Sequence, residues 1–193
     1  IIPANSLAGG GYAVDNSLRF NSGSSDYLEK TFGTTGTSSY KWTTSFWIKR
    51  SDYINAQRIF NAGSTSDRDS ILFNDIAQLQ FYISTGVGTS TNAFVTTRKF
   101  RDVSAWYHII ISADSTLTGA SNQVKLYING VEETAFNEQN AVSTNFVWYF
   151  GNNARHRIGT DSATASLYLD GYLSDYYFID GQQLTPTDFG EFD

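Results

Sequence analysis

Nineteen carboxylates and two histidines are the side chains here that could make a catalyst, and their spacing decides what they can do. Hydrolysis of a glycoside takes two carboxyls about 5–5.5 Å apart for retention, or about 6.5–9.5 Å for inversion. The glutamates are Glu29, Glu132, Glu133, Glu138 and Glu191. Glu132 and Glu133 adjoin each other just after an Asn-Gly turn, so a pleated strand sends them to opposite faces. His108 stands in WYHIIISAD (106–114), with Asp114 six residues on. Trp106 and Ile110 share its face, while Tyr107, Ile109 and Ile111 point the other way. A strand apolar on both faces is central and covered on both sides. His108 is therefore expected to be a packed, neutral imidazole that donates one bond and accepts another. Asp114 suits the turn that follows, and no serine or cysteine nucleophile motif stands near the histidine in sequence.

Two other chemistries remain. Ca²⁺ takes oxygen ligands, usually carboxylates and carbonyls on loops. Asp67 and Asp69 flank Arg68 in STSDRDS, and Asp161 lies in a second polar stretch. These three are the expected ligands if Ca²⁺ binds. The alternative is a solvated loop in which Arg68 pairs locally, since no dedicated ligand run is present. Sugars are held by aromatic faces and planar polar groups on a preformed surface. NFVWYFGNNARHR (145–157) is the densest mixture of the two. Its expected ligand-binding residues are Trp148, Tyr149, Asn152, Arg155 and His156, with Asn153 and Arg157 beside them. The alternative is a strand edge whose aromatics fill the end of a sandwich. Tyr172, Tyr176 and Tyr177 are expected in the core or on a sheet surface.

The elements that must carry these residues are strands. Aromatic residues make up 16% of the 193 and charged residues 17%, with abundant Gly, Ser and Thr and two prolines. That composition favours short strands separated by turns. Strand signals recur at SLRF (17–20), DYLEKTF (26–32), WTTSFWIKR (42–50), RIFNAG (58–63), ILF (71–73), LQFYIS (79–84), FVTTRKF (94–100), WYHIIISAD and VKLYINGVEE (124–133). In the last, Val124, Leu126 and Ile128 face inward, and Asn129-Gly130 supplies a hairpin turn. ASLYLDGYLSDYYFIDG (165–181) is long enough for two strands or one bulged strand, with Gly171 as the bend. LTPTDFGEFD reads as a short helical turn, with Thr185 as N-cap, Pro186 next and Asp188 in the first turn. Many short strands imply an all-β, antiparallel two-sheet sandwich. Residues 1–16 read as a linker or N-terminal arm, and 17–193 as one domain.

Composition also narrows the partners. A net charge of −6 argues against nucleic acid, which would require a basic face. No apolar run reaches the roughly 18 residues of a membrane span, so no membrane insertion is expected. With no cysteine, disulfides and thiolate metal sites are excluded. The absence of Met reads as a processed chain or a segment of a longer one.

Taken in order, these pieces resemble the laminin G-like, concanavalin A-like jelly-roll family over roughly residues 17–190. SLRFNSGSSDYLE is similar to its opening strand pair and WTTSFWIKR to its aromatic-aliphatic-basic strand. WYHIIISAD is similar to its Trp-aromatic-His strand and VKLYINGVEE to its Asn-Gly hairpin. HRIGTDSATASLYLDGYLSDYYFIDGQQLTPTDF is similar to its closing block. The resemblance implies the concanavalin A-like jelly roll, carbohydrate binding, and in many members one Ca²⁺ at the sandwich rim. The Glu-x-Asp-x-x-Glu strand of the fold's glycosidases is absent. FIDGQQLTPTDFGEFD most resembles marine phage virion appendage domains. The resemblance therefore implies a non-enzymatic tail-fibre or head-fibre domain at the virion surface, contacting host-surface glycan and other virion proteins, possible as a homo-oligomer such as a trimer. An extracellular or bacterial cell-surface location is the alternative. The competing functions are a purely structural decoration domain and a glycan-degrading enzyme.

Overall fold

The computed structural model describes residues 15–86, 90–161 and 164–190. The expected arm therefore lies outside the described residues as far as position 14.

The strands are β1 (Leu18–Phe20), β2 (Leu28–Thr31), β3 (Lys41–Arg50), β4 (Gln57–Gly63), β5 (Asp67–Phe73), β6 (Gln78–Thr85), β7 (Ser90–Lys99), β8 (Tyr107–Asp114), β9 (Val124–Ile128), β10 (Val131–Glu132), β11 (Phe136–Gln139), β12 (Arg155–Ile158) and β13 (Gly171–Asp180). Among the described residues one α turn, α1 (Ala120–Gln123), precedes β9, and short 3₁₀ turns span Ser22–Ser24 and Pro186–Asp188. The last turn starts at Thr185 and Pro186 as expected, and a capping box joins Thr185 to Asp188.

Two antiparallel sheets stack face to face. One runs β1-β13-β3-β8-β9-β10 and the other β11-β7-β6-β5-β4-β12-β2. Alternation sorts the side chains. Trp42, Phe46 and Ile48 of β3 and Ile109 and Ile111 of β8 join the core, as do Ile71 and Phe73 of β5 and Phe81 of β6. Even Arg50, last on β3, is only 1% exposed. Its guanidinium stacks over Phe73 at 4.2 Å and donates to the Phe100 carbonyl, and burial lowers its pKa to about 10.

Three strand expectations change. Asp67–Ser70 is strand, not loop, so Asp67 and Asp69 lie two apart on β5 and share a face. The expected ligand surface at 145–157 ends in strand: residues 155–158 form β12 between β4 and β2. In β13 the irregularity lies between Ser174 and Tyr177, where Asp175 has a φ of 48°, while Gly171 begins the strand. Gly171 is needed for a different reason: a Cβ there would sit 2.4 Å from the Lys49 carbonyl oxygen.

Candidate functional site

The connections divide between the two ends of the sandwich. At one end Phe100 bonds to Ala77, Arg50 to Phe100, and Gln57 to Asp52. At the other, Trp148 bonds to Ser39, Asn145 to Ser115, and Gly36 to Gly151. This second end carries the 145–157 segment, and the structure splits that segment in two.

Its first half is core. Trp148 is fully buried, donates its indole N–H to the Tyr40 carbonyl at 2.9 Å, and meets Trp42 and Phe146 edge-on at 6.0 and 5.0 Å. It offers no ring face to a ligand, which removes the first residue expected to bind sugar. Phe150 stacks on Phe60 at 4.3 Å. Large aromatics fill the open end of the sandwich because the two sheets leave a gap there that no strand covers.

The second half is a pinned loop. Tyr149 is half-buried, and its N–H and that of Phe150 both donate to Asp69 Oδ2, at 2.7 and 3.1 Å. Gly151 donates to His156 Nε2 at 3.0 Å, and His156 Nδ1 lies 2.9 Å from the Ala154 carbonyl. Gly151 needs its positive φ of 76°, and Phe178 stands 3.2 Å from where a Cβ would be. The Asn152 side chain is spent on the loop itself. Its Oδ1 accepts from Thr35 Oγ1 at 2.6 Å and from the Asn153 N–H at 2.8 Å. Asn153 is exposed and Arg155 half-exposed, on the outer face opposite His156.

His156 is 4% exposed, and its inward position was not visible while β12 read as loop. Burial holds its pKa below the usual histidine value. Its ring meets Phe32 edge-on at 4.8 Å and forms part of the wall of a cleft of about 350 Å³. Phe32, Phe60, Tyr176 and Phe178 supply the aromatic surfaces of this cleft, with Glu29 and Lys30 at its edge. A second space of about 410 Å³, walled on one side by β1 and β13, shares Leu28, Ile158 and Tyr176 with it. The Phe32 N–H bonds to the Ala154 carbonyl at 3.2 Å, so cleft and loop share a wall. The sequence reading missed Phe32, Lys30 and Glu29. Only the pairing of β2 with β12 brings them here, and nothing in DYLEKTF signals that pairing.

The three aspartates expected to hold Ca²⁺ do not converge. Asp69 is buried on the inner face, where β5 alternation places it with Ile71 and Phe73. Desolvation pushes its carboxyl up to about 7 against the two N–H bonds, and Oδ1 has no hydrogen-bond partner. Asp161 is on the outer face, 3.4 Å from Arg58 and 3.7 Å from Arg68. Both guanidinium groups also lie over Tyr82, and Arg58 donates to Ser70. Those two cations already neutralise Asp161. Among the described residues no three His, Cys, Asp or Glu come together.

The four described glutamates are engaged separately. Glu29 pairs with Arg157 at 2.6 Å, Glu132 with Lys125 at 3.0 Å and Glu133 with Arg98 at 2.8 Å, while Glu138 accepts from Asn92. None faces another across the cleft. His108 is 4% exposed, stacked on Trp47 at 4.9 Å, with Nε2 at 2.8 Å from Ser45 Oγ. Burial lowers its pKa to about 4 despite the opposing charge of Asp175, so it is neutral at pH 7, as expected. Asp114 accepts from Thr116 and pairs with Lys41 at 2.8 Å, closing the end of β8.

The family model described as the Concanavalin A-like lectin/glucanases superfamily matches residues 21–188. No curated protein matches the chain in sequence. Among solved structures, domain 4 of AbnA, a GH43 extracellular arabinanase from Geobacillus stearothermophilus in complex with arabinotriose, superposes with a TM-score of 0.58. Its identity is 21%, over 82% of this chain and 70% of that one. The Ruminococcus gnavus IT-sialidase CBM40 gives 0.56 at 11% identity, over 85% of this chain and 99% of that one. The native heptameric SAP-like pentraxin from Limulus polyphemus gives 0.56 at 15%, over 82% and 71%.

Proposed function

The chain belongs to the concanavalin A-like lectin/glucanase superfamily, and on that premise we propose that it is a non-catalytic carbohydrate-binding module. The observation that carries this reading is the joining of the aromatic cleft to the 149–155 loop. Phe32 and Tyr176 offer ring surface, on which the C–H face of a sugar packs, and Lys30 and the exposed Asn153 offer polar groups for hydroxyls. The cleft volume, about 350 Å³, is in the range of small-ligand sites. The two buried anchors under the loop reduce the ordering cost of binding. The separate pairing of the glutamates supports a module that binds glycan without cleaving it.

The wider setting we propose is a phage virion appendage, a tail or head fibre, displayed at the virion surface against host-surface glycan. The likeness of FIDGQQLTPTDFGEFD to such domains supports it. Several copies on one particle would let weak single sites act together, since linked sites gain about 10²–10⁴ in avidity. A second reading, an interaction domain that joins virion parts without a ligand, is favoured by one feature. Tyr53, Ile54, Ile76 and Val103 are exposed, by 41, 72, 48 and 39%, on connections at the end away from the cleft.

A glycan array, run with the protein in a multivalent format with and without Ca²⁺, separates these readings. Glycan binding supports the module, and its loss on removing Ca²⁺ would add an ion that the three aspartates do not hold. An array with no binding in either condition would remove the module reading and leave the interaction domain.

A further inference from the structure

Three consecutive backbone N–H groups, of Tyr149, Phe150 and Gly151, end on two buried side chains, Asp69 and His156. The two acceptors differ in kind. A carboxyl oxygen still accepts after its group is protonated. An imidazole nitrogen does not, because the added proton occupies its lone pair.

The partners of His156 assign its tautomer. Nδ1 faces the Ala154 carbonyl, which can only accept, so Nδ1 carries the proton. Nε2 receives the Gly151 N–H, so it is bare. The ring therefore spans the loop as a donor at one nitrogen and an acceptor at the other. A second proton on Nε2 would point at the Gly151 N–H, setting donor against donor.

We propose that His156 is an acid-sensitive latch on the 149–155 loop: neutral, it clasps Gly151 to Ala154; doubly protonated, it releases Gly151 and loosens the face that meets the ligand. Its role in binding rests on the glycan reading of that loop, whereas the latch itself does not.

The surroundings favour the closed latch at neutral pH. Phe32, just after β2, and Phe60 of β4 pack on the ring. The charged or titratable groups around it are Glu29 and Lys30 of β2 and Tyr176 of β13, which line the same cleft. Asp180 of β13 stands 3.6 Å from a Cβ built on Gly151, and Asp69 of β5 holds the two preceding residues. Arg155 and Arg157, beside it on β12, project to the other face, where Arg157 pairs with Glu29. None of these carboxylates bonds the imidazole; burial outweighs the backbone bonds to Ala154 and Tyr149, which oppose it, and release falls below the ordinary histidine range.

The test is amide exchange by NMR on the whole chain from about pH 7.5 to about 4.5, a span that crosses the histidine range. Ring protons of His156 report its titration. As it titrates, the Gly151 protection factor should fall about tenfold, the loss expected for one hydrogen bond. Tyr149 and Phe150, which end on Asp69, should not follow the same curve, and β8 amides should stay protected. His156→Gln, whose amide oxygen can reach the Gly151 N–H without titrating, should keep Gly151 protected throughout. Gly151 protection that is unchanged while His156 titrates would overturn the latch, and the wild-type curve decides this even if the variant does not fold. For a glycan found on the array, affinity should weaken over the same range in the wild type and not in His156→Gln. A latch that opens without changing that affinity would stand, and the loop would lose its place in the binding site.

Discussion

His108 and His156 are both 4% exposed, and burial lowers the pKa of both. His108 lies on the outer face of the six-stranded sheet, where its Nε2 meets a serine hydroxyl and its ring stacks on Trp47. His156 lies between the sheets, and both of its nitrogens meet backbone. A hydroxyl can turn to donate or accept, so Ser45 can stay bonded to either form of His108. A backbone N–H cannot turn, so protonating His156 breaks a contact that shapes a loop. Equal burial therefore gives one histidine that only packs and one that holds a candidate binding surface.

The comparison depends on the loop resting on a solid base. Trp148→Ala should have the largest effect, a loss of about 3–5 kcal/mol in urea unfolding, as for other buried aromatics cut to alanine. Exposed Asn153→Ala should stay within about 0.5 kcal/mol. Similar losses for the two would mean that 145–151 is not core.

Next come the pH effects, which separate Asp69, one of the loop's two anchors, from His108 by sign. The folded Asp69 carboxyl titrates near 7, above its unfolded value of about 3.8. The folded state then holds the extra proton, so stability is highest in acid and falls by about 4 kcal/mol as pH rises from about 4 through 7. Asp69→Asn keeps an oxygen for the two N–H groups, and should be more stable than wild type at about pH 8 with that slope removed. His108 runs the other way. Its folded pKa of about 4 lies below the unfolded 6.5. The stability it supports is complete above about pH 6.5, and about 3 kcal/mol is lost as pH falls to about 4. His108→Gln should flatten that acid limb while leaving Gly151 exchange unchanged. A change at Gly151 in this variant would break the contrast between the two histidines.

At the histidines, the smaller effect should come from Ser45→Ala, about 1 kcal/mol or less near neutral pH, the worth of one replaceable hydrogen bond. A loss as large as that of His156→Ala would show that His108 also carries a structural clasp.

The fold was largely legible because strand alternation and turn residues are local signals. Val124, Leu126 and Ile128 of β9 face inward as their spacing implies, and the Asn129-Gly130 turn has positive φ at both residues. The start of the last turn at Thr185 and Pro186 was equally local. The site was legible only in part. A composition count placed Trp148 and Tyr149 together as binding residues, yet neighbours in an extended chain face opposite ways, and Trp148 turns to the core. Reading 64–70 as loop hid the alternation that buries Asp69 and separates it from Asp161. His156 was singled out, but its inward position needed β12, and the cleft needed a strand more than 120 residues away, since Glu29 bonds Arg157 with a separation of 128. Such pairing leaves no local trace in the sequence.

The central claim is that glycan binds where the 149–155 loop meets the aromatic cleft. It is tested most directly by titrating the amide NMR spectrum of the chain with the strongest oligosaccharide from the array. Shifts gathered on Phe32, Tyr149, Gly151 to Arg155 and β2 are the predicted result. Shifts gathered on the far end around Ile54, Ile76 and Val103, or none at a saturating concentration, would contradict it.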